Sequence, residues 1–157
     1  MTLGAVAREA GVSKGGLLYH FPSKEALISG MIGRLVEGFT GLLGRELEGE
    51  SGSENGRWLR AYARATFAED RRHLEIGAAL LAAVAENPTL VDPLHRGFED
   101  WQRRAERDGT DPAVGTVVRL AADGLFFAEM FGFAPPEGAL RERVLEALLS
   151  LTEGAPG

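Results

Sequence analysis

Apolar residues recur along this chain every three or four positions, the spacing of helices that bury one face. No segment alternates apolar and polar residues over the length of a strand, and β-branched residues are sparse. The pattern therefore predicts an all-α fold. From the amino end it predicts a first helix over Thr2–Ala10, a second over Ser13–Phe21 and a third from Ser23 to about Leu47.

A polar segment divides the chain into two predicted parts. Residues 48–56 read EGESGSENG, which is rich in Gly and Ser and lacks periodicity, so we expect a loop there. Helical spacing resumes after it and predicts five more helices, over Arg57–Asp70, Arg72–Glu86, Pro88–Arg107, Asp111–Phe133 and Gly138–Glu153. The predicted organisation is a head with its linking helix over residues 1–47 and a body over residues 57–157.

The predicted helix Asp111–Phe133 is apolar around most of its circumference. Between Leu120 and Phe133 only Asp123 and Glu129 are charged, so the helix needs burial on more than one side. A second subunit would provide it, which predicts a homodimer; a central core helix without a dimer is the alternative. The predicted dimer interface comprises Val117, Leu120, Phe127, Phe131, Leu140, Val144 and Leu148.

The composition excludes several classes of protein. The 157 residues are 45% hydrophobic and 25% charged, which suits a soluble globular chain. There is no cysteine, which excludes disulfides, thiolate nucleophiles and Cys-based metal sites. Met1–Ala10 lacks the basic start and apolar run of a secretory signal, and no uninterrupted apolar stretch approaches the ~20 residues of a membrane span. We expect a cytoplasmic protein without a membrane partner.

The residues with catalytic or metal-binding chemistry form no recognisable site. His73 and His95 are isolated, and no nucleophile–base pair or phosphate-binding loop is found. We therefore expect no enzyme, no metal and no cofactor. Aromatic side chains in the body are more often core than ligand contacts, but some can line a pocket for a small apolar ligand whose identity the sequence leaves open. The candidates are Phe67, Trp101, Phe126 and Phe127.

The first 24 residues have the pattern of a helix-turn-helix. Gly11 supplies the turn between two short helices, and Ser13 caps the second helix, which would enter the major groove of double-stranded DNA. Lys14 lies in its first turn, followed by two glycines that allow the backbone close to bases or phosphate. The predicted contacts from this pattern are Ser13, Lys14, Gly15 and Gly16 near the bases and Tyr19, His20 and Lys24 at the flanking phosphates.

The run from Thr2 to Leu27, with AGVSKG followed by YHFPSKEAL, resembles the DNA-binding signature of the TetR (tetracycline-repressor) family of transcriptional regulators. The number and order of the later helices resemble the ligand-binding and dimerisation body of that family. The resemblance implies a ligand-responsive repressor that binds a palindromic operator as a homodimer, and it adds Thr2 as a phosphate contact. Leu18 departs from the family pattern, which often has tyrosine there.

A larger departure concerns the amino end. Family members carry a further helix of about 20 residues before the position of Thr2, and it completes the core of the head. In this sequence Met1 precedes Thr2. We therefore expect a head that is less stable than the body and weak DNA binding by this exact chain. The alternative function is a dimeric small-molecule-binding or protein-interaction module whose head no longer binds DNA.

The net charge of −6 belongs to the body. Residues 1–48 carry five basic and five acidic side chains, and the remaining 12 basic and 18 acidic ones follow them. The acidity thus does not argue against DNA binding by the head. A neutral head has little general attraction for phosphate, so binding would depend on a few placed groups, including the only two lysines, Lys14 and Lys24.

Overall fold

The computed structural model describes residues 2–68, 71–84 and 87–153. Within these ranges the chain is helical and contains no strand. The helices are α1 (Leu3–Glu9), α2 (Lys14–His20), α3 (Lys24–Gly49), α4 (Arg57–Phe67), α5 (Arg71–Val84), α6 (Asp92–Ala105), α7 (Pro112–Phe131) and α8 (Gly138–Thr152), with a 3₁₀ turn at Pro88–Val91. The all-α prediction is confirmed.

The first three helices begin where hydroxyl caps predict. The side-chain oxygens of Thr2, Ser13 and Ser23 each accept a hydrogen bond from the backbone N–H three residues later, at 3.3, 3.0 and 3.1 Å. Each oxygen satisfies one of the unpaired donors at a helix start. Between α1 and α2 the turn passes through Gly11 at φ +67°, a conformation that favours glycine.

Helix α3 continues two residues beyond the predicted end and connects the head to the body. It packs against α4, α5 and α6. Length and composition alone would let it cross a membrane, since its most apolar 18 residues have a mean hydropathy of 1.3. Four of its residues, Leu27, Ile28, Ile32 and Leu43, are buried.

The core of the body is built around α4. Leu59, Ala61, Tyr62, Ala63 and Ala65 are at most 1% exposed, and α4 contacts α3, α6, α7 and α8. Helices therefore surround α4 on most of its sides, and even its Arg60 and Thr66 are buried. Helix α4 is thus the centre of the main core, while Leu80 and Leu90 form a second buried cluster with Ile28 and Ile32 of α3.

The amino end of α4 is capped from a distant loop. Its N-cap residue, Gly56, has φ +76° and no side chain to accept a hydrogen bond. Instead, the two carboxylate oxygens of Asp108 accept hydrogen bonds from the N–H groups of Trp58 and Leu59 at 2.9 and 3.0 Å. A Cβ at position 56 would lie 2.5 Å from the carbonyl oxygen of Thr152, so this close approach also requires glycine.

The predicted loop between head and body is held by a buried arginine. The Nε of Arg60 donates to Glu50 Oε1 at 3.0 Å, and its two Nη atoms donate to the carbonyl oxygens of Asn55 and Ser53. The side chains of Arg60 and Glu50 are only 4% and 8% exposed. The loop is therefore folded around one guanidinium group and is an ordered part of the body.

Two predicted helices differ from those observed. The single helix predicted over Pro88–Arg107 is a 3₁₀ turn followed by α6, because Pro93 has no N–H to donate and its ring obstructs an α-helical turn before it. Helix α7 ends at Phe131, since Gly132 adopts φ +68° and Phe133 N–H returns to Ala128 O at 2.9 Å. The predicted helix ends at Asp70 and Glu86 lie outside the described residues.

Helix α7 is buried on only part of its circumference. Val118 and Leu125 are buried, but Val117 is 56% exposed and the charged Asp123 only 8% exposed. Gly115 allows the close crossing of α6, because a Cβ there would lie 2.7 Å from Ala105 O. The helix thus packs through Gly115, Val118 and Leu125 and leaves Val117 exposed.

Candidate nucleic-acid interface and ligand cavity

The predicted DNA contacts of α2 lie on an exposed surface. Lys14, Gly15 and Gly16 are exposed, and a Cβ at position 15 would meet nothing within 4 Å. Ser13 is occupied with its cap, because its oxygen accepts from Gly16 N–H at 3.0 Å. This turn therefore presents a lysine side chain and uncovered backbone to the outside.

The predicted phosphate contacts are spread over three helix ends. Tyr19 is 85% exposed, and its ring meets the His20 ring edge-on with centroids 5.1 Å apart. Thr2 is exposed at the start of α1, and Lys24 is half-buried at the start of α3. The structure thus brings Tyr19 and His20 together and places Thr2 and Lys24 at other helix starts. Their assignment as phosphate contacts stays a prediction.

A small apolar cluster holds α2 in place. Ala7, Leu17 and Leu27 are buried together, one from each of the first three helices. Phe21 packs against α3 so closely that a Cβ at Gly30 would lie 2.6 Å from its ring. The end of α2 therefore packs on α3. Because α3 also extends into the body, it connects the exposed residues of α2 to the body.

A cavity of about 80 Å³ lies where α3 meets α4–α7. The described residues that line it are mainly apolar and aromatic. Helix α3 contributes Ile32, Leu35, Val36 and Phe39 to the lining. Apolar pockets with a few polar groups are typical of small-molecule sites.

Three of the four predicted ligand contacts line this cavity. Trp101, Phe126 and Phe127 are among its residues. Phe67 is not; it is buried in the body core, with the Arg141 guanidinium 4.8 Å from its ring centroid. The sequence interpretation also missed the four residues of α3, because an apolar stripe on a helix has the same spacing whether it lines a pocket or packs in a core.

A polar corner of the cavity is formed by Tyr62, Thr66 and Asp123, all buried. The Tyr62 hydroxyl donates to Asp123 Oδ1 at 2.6 Å, and Thr66 donates to the carbonyl oxygen of Tyr62 at 2.9 Å. Sequence reasoning did not assign any of the three. A lone acid in an apolar helix with an arginine four residues earlier was the available signal, since such a pair can be buried together.

On its outer side Asp123 pairs with Arg119. Arg119 Nη1 donates to Asp123 Oδ2, and Arg119 Nε donates to Gln102 Oε1 at 2.6 Å. Burial raises the pKa of the Asp123 carboxyl, while the hydrogen bond from Tyr62 and the charge of Arg119 act in the opposite direction. Burial and the adjacent carboxylate raise the pKa of Tyr62 far above its usual value, so its hydroxyl stays protonated and donates.

The predicted dimer residues divide into exposed and enclosed groups. Val117, Leu120, Phe131 and Leu140 are 43–56% exposed. Val144 is partly buried against the core, and Leu148 is only 6% exposed within it, so Leu148 is not offered to a partner. Phe127 lines the cavity and stacks on Phe131 with ring centroids 6.5 Å apart. Phe133, which was not predicted, is 71% exposed beside Phe131.

Metal-binding chemistry is not gathered anywhere in the part of the chain that the structure describes. No group of three or more His, Asp or Glu side chains lies together there. His73 lines the cavity and is exposed, while His95 lies on the outer surface of α6. The two histidines remain separate, as they are in sequence.

Comparison with known proteins identifies the family. The family model described as bacterial regulatory proteins of the tetR family matches residues 1–31, and the model of the tetracyclin repressor-like C-terminal domain matches residues 56–153. A comparison with curated protein sequences finds no match.

Solved structures with the same fold include three regulators or binding proteins. A candidate transcriptional regulator, SCO7518 from Streptomyces coelicolor A3(2), is similar with a TM-score of 0.69 at 22% identity, over 98% of this chain and 87% of that one. The multidrug binding protein EbrR complexed with imidazole gives a TM-score of 0.69 at 22% identity, over 99% and 85%. A candidate TetR-family regulator from Rhodococcus sp. gives a TM-score of 0.69 at 20% identity, over 97% and 87%.

These likenesses are of fold, whereas the two family models extend over most of the sequence. The amino-terminal match contains the helix-turn-helix, and the carboxy-terminal match contains α4–α8. The chain therefore belongs to the TetR family of transcriptional regulators.

Proposed function

We propose that this regulator is a repressor that binds a palindromic operator as a homodimer and is released by a small, largely apolar ligand. The observation that carries the proposal is the position of α3. The same helix seats α2 through Phe21 and Leu27 and lines the cavity with Ile32, Leu35 and Phe39. A ligand in the cavity would contact the helix that positions the DNA-binding surface.

Binding to DNA would use the exposed turn of α2. Lys14 would reach base edges beside the uncovered backbone of Gly15 and Gly16, and Tyr19 and His20 would contact the flanking phosphates. The 85% exposure of Tyr19 supports this role, since a tyrosine that serves only the fold is usually more buried. In a dimer the two α2 helices would meet half-sites about one DNA turn apart.

Release would follow from a shift between two conformations. A ligand changes that equilibrium only if it binds the released conformation more tightly than the DNA-bound one. The cavity is enclosed by α3 on one side and by body helices on the other. Its size and shape thus depend on the angle of α3 to the body, which supports such differential binding. EbrR, which has this fold, binds imidazole, and this supports a small-molecule ligand for this chain.

Dimerisation would use the exposed apolar face of α7 and α8, defined by Val117, Leu120, Phe131, Phe133 and Leu140. Their side chains are 43–71% exposed. A contiguous exposed apolar patch is unfavourable in a monomer and is typical of an interface between subunits. A two-fold symmetric dimer would place the same face of each subunit against the other.

Operator binding by site variants tests the proposal. Fluorescence anisotropy at low salt would compare this chain with Lys14→Ala and Tyr19→Ala on the DNA upstream of its own gene. We expect each variant to weaken binding at least about tenfold, with the dimer mass unchanged in light scattering. Arg34→Ala is the matched control, because Arg34 is 84% exposed on α3 outside the predicted contacts.

Two outcomes would contradict the proposal. Unchanged operator affinity in both variants would exclude the assigned DNA contacts. Dimers that bind this duplex no better than a scrambled one would favour the alternative, a dimeric ligand-binding or protein-interaction module without DNA binding. The small buried cluster of the head is the observation that favours this alternative.

A further inference from the structure

Both hydroxyl donors of the polar corner, on Tyr62 and Thr66, already donate to acceptors within the protein. The Tyr62 hydroxyl donates to Asp123, and the Thr66 hydroxyl donates to the carbonyl oxygen of Tyr62. Asp123 accepts from Tyr62 on one oxygen and from Arg119 on the other, which is the pattern of an ionised carboxylate. What the corner can still offer to a ligand is therefore the remaining lone pairs of three oxygens.

Asp123, which lines the cavity, keeps capacity to accept a further hydrogen bond. A carboxylate oxygen accepts about two hydrogen bonds, and Asp123 Oδ1 receives one from the described residues. Buried oxygens with spare lone pairs in an apolar surrounding are stabilised by a further donor and are left unsatisfied by a ligand that only accepts. Apart from His73, which is exposed, the other described residues of the lining are aliphatic or aromatic, so this corner is the buried place where the orientation of a ligand would be set.

The charge of the corner is already balanced. Arg119 pairs with the outer oxygen of Asp123, and both side chains are buried, with 12% and 11% of their surface exposed. A ligand cation would enter this pocket as an additional charge without a counter-ion of its own. Desolvation of an uncompensated charge is costly, whereas a neutral N–H or O–H group has a much smaller desolvation cost.

We infer that the cavity selects a compact, uncharged, largely apolar ligand that donates a hydrogen bond to the polar corner of Tyr62, Thr66 and Asp123. This inference rests on the ligand-binding role proposed above and specifies the chemical class of the ligand. A cavity of about 80 Å³ has room for roughly six water molecules. That space suits a molecule of one or two fused rings. Asp123 would determine specificity, and Trp101 and Phe127 would contact the ring faces.

Indole and benzofuran test the donor requirement, since they differ only in whether the five-membered ring carries N–H or oxygen. Isothermal titration calorimetry on the whole chain should give indole an affinity at least about tenfold higher than benzofuran. Equal affinities, or tighter benzofuran, would overturn the inference. Benzyl alcohol and benzylammonium test the charge: the alcohol should bind more tightly, and tighter binding of the ammonium would overturn the uncharged class.

Variants assign the preference to the corner. In Asp123→Asn the preference for indole over benzofuran should fall to less than about threefold. The control is Asp100→Asn, which removes the carboxylate of an exposed ion pair with Arg104 on α6 and should keep the full preference. If Asp123→Asn fails to fold, Thr66→Val removes one acceptor at nearly equal volume and should lower the preference severalfold. A full tenfold preference in Thr66→Val and Asp123→Asn alike would overturn the assignment.

The calorimetry contains no DNA, so it separates this inference from the proposed function. Loss of the indole preference with operator binding retained would exclude only the ligand class. A retained preference in a chain that does not bind its operator would exclude only the role in transcription. Each result therefore identifies which of the two statements has failed.

Discussion

The head and the body of this regulator differ in where their chemically important side chains lie. In the head, Tyr19 is 85% exposed and the buried cluster of α1–α3 comprises three described residues, Ala7, Leu17 and Leu27. In the body, thirteen described residues form the main core, and the polar corner is enclosed within it. The head can therefore lose a functional side chain without losing its fold, whereas the polar groups of the body are part of its packing.

The largest expected effect concerns the loop at the junction of the two regions. Arg60→Met would leave two loop carbonyls without their donor and would remove the buried partner of the Glu50 carboxylate, which keeps only the Gly52 N–H and the half-exposed Arg64. Removal of one partner from a buried ion pair costs about 3–5 kcal/mol of unfolding free energy, and urea denaturation followed by circular dichroism would measure it. Arg34→Met, at an exposed pair with Glu37, should change the value by less than about 0.5 kcal/mol. Equal effects of the two would show that the loop does not belong to the body.

A pair of leucine truncations tests whether the two regions unfold separately. Leu59→Ala, at a fully buried position of α4, should lower the unfolding free energy of the body by about 3 kcal/mol. Leu17→Ala in the head should remove helical signal and operator binding at low temperature and leave the main transition within about 0.5 kcal/mol. Thermal circular dichroism of the two variants distinguishes them. A shared transition that both variants shift equally would contradict the separation.

A smaller effect is expected from the cap of α2. Ser13→Ala removes the acceptor of the Gly16 N–H and should cost about 1 kcal/mol, confined to the head. Hydrogen exchange with mass spectrometry should then show about fivefold faster exchange in α2, with α4 and α7 unchanged. Ser150→Ala is the control, since its hydroxyl bonds only to Glu146 O within α8. Equal acceleration in α4 would mean that the head and body open together.

The smallest expected effect is the acid dependence of the body. Burial acts to raise the pKa of Glu50. The hydrogen bonds from Arg60 and the Gly52 N–H, together with the charges of Arg60 and Arg64, outweigh burial and hold this pKa below its ordinary value of 4.5. Its stabilisation is thus present above pH 4.5 and is lost as the pH falls through the lowered folded value. Urea denaturation would measure how far the unfolding free energy falls between pH 7 and pH 3.5. This fall should be up to about 1 kcal/mol larger in the natural chain than in Glu50→Gln.

Two other carboxyls act in the opposite direction. Burial raises the pKa of Asp108 and Asp123 in the folded chain. While ionised they reduce stability relative to the unfolded chain, and this cost decreases as the pH falls through their raised values. Glu50→Gln leaves both unchanged, so the difference between the two proteins isolates Glu50. Identical acid profiles would show that Glu50 has an ordinary pKa.

The features that sequence predicted well are local. The caps at Thr2, Ser13 and Ser23 need only a backbone N–H three residues away, so the chain itself determines them. The helix break at Pro93 is also local. It was missed because the apolar residues before and after Pro93 have the spacing of one continuous helix. The exposed residues of the head belong to one continuous sequence motif, which can be recognised without knowing the fold.

The features that sequence missed depend on contacts between distant segments. Asp108 caps α4 from about fifty positions later, and Asp123 meets Tyr62 sixty-one positions earlier. Leu148 and Leu140 lie on the same apolar spacing of α8, yet Leu148 is buried and Leu140 is exposed, because the positions of α4 and α7 determine which part of α8 is covered. Tertiary packing of this kind leaves no periodic signal in one chain.

The length of α3 gives it the mechanical properties of a lever. At a rise of 1.5 Å per residue, the fifteen steps from Lys24 to Phe39 extend about 22 Å. A tilt of about 5° with its pivot at the cavity would move the amino end by roughly 2 Å, and two-fold symmetry would double the change in separation between two heads. Side-chain displacements of a few tenths of an ångström around Phe39 would be amplified to the scale on which α2 meets or misses its DNA groove.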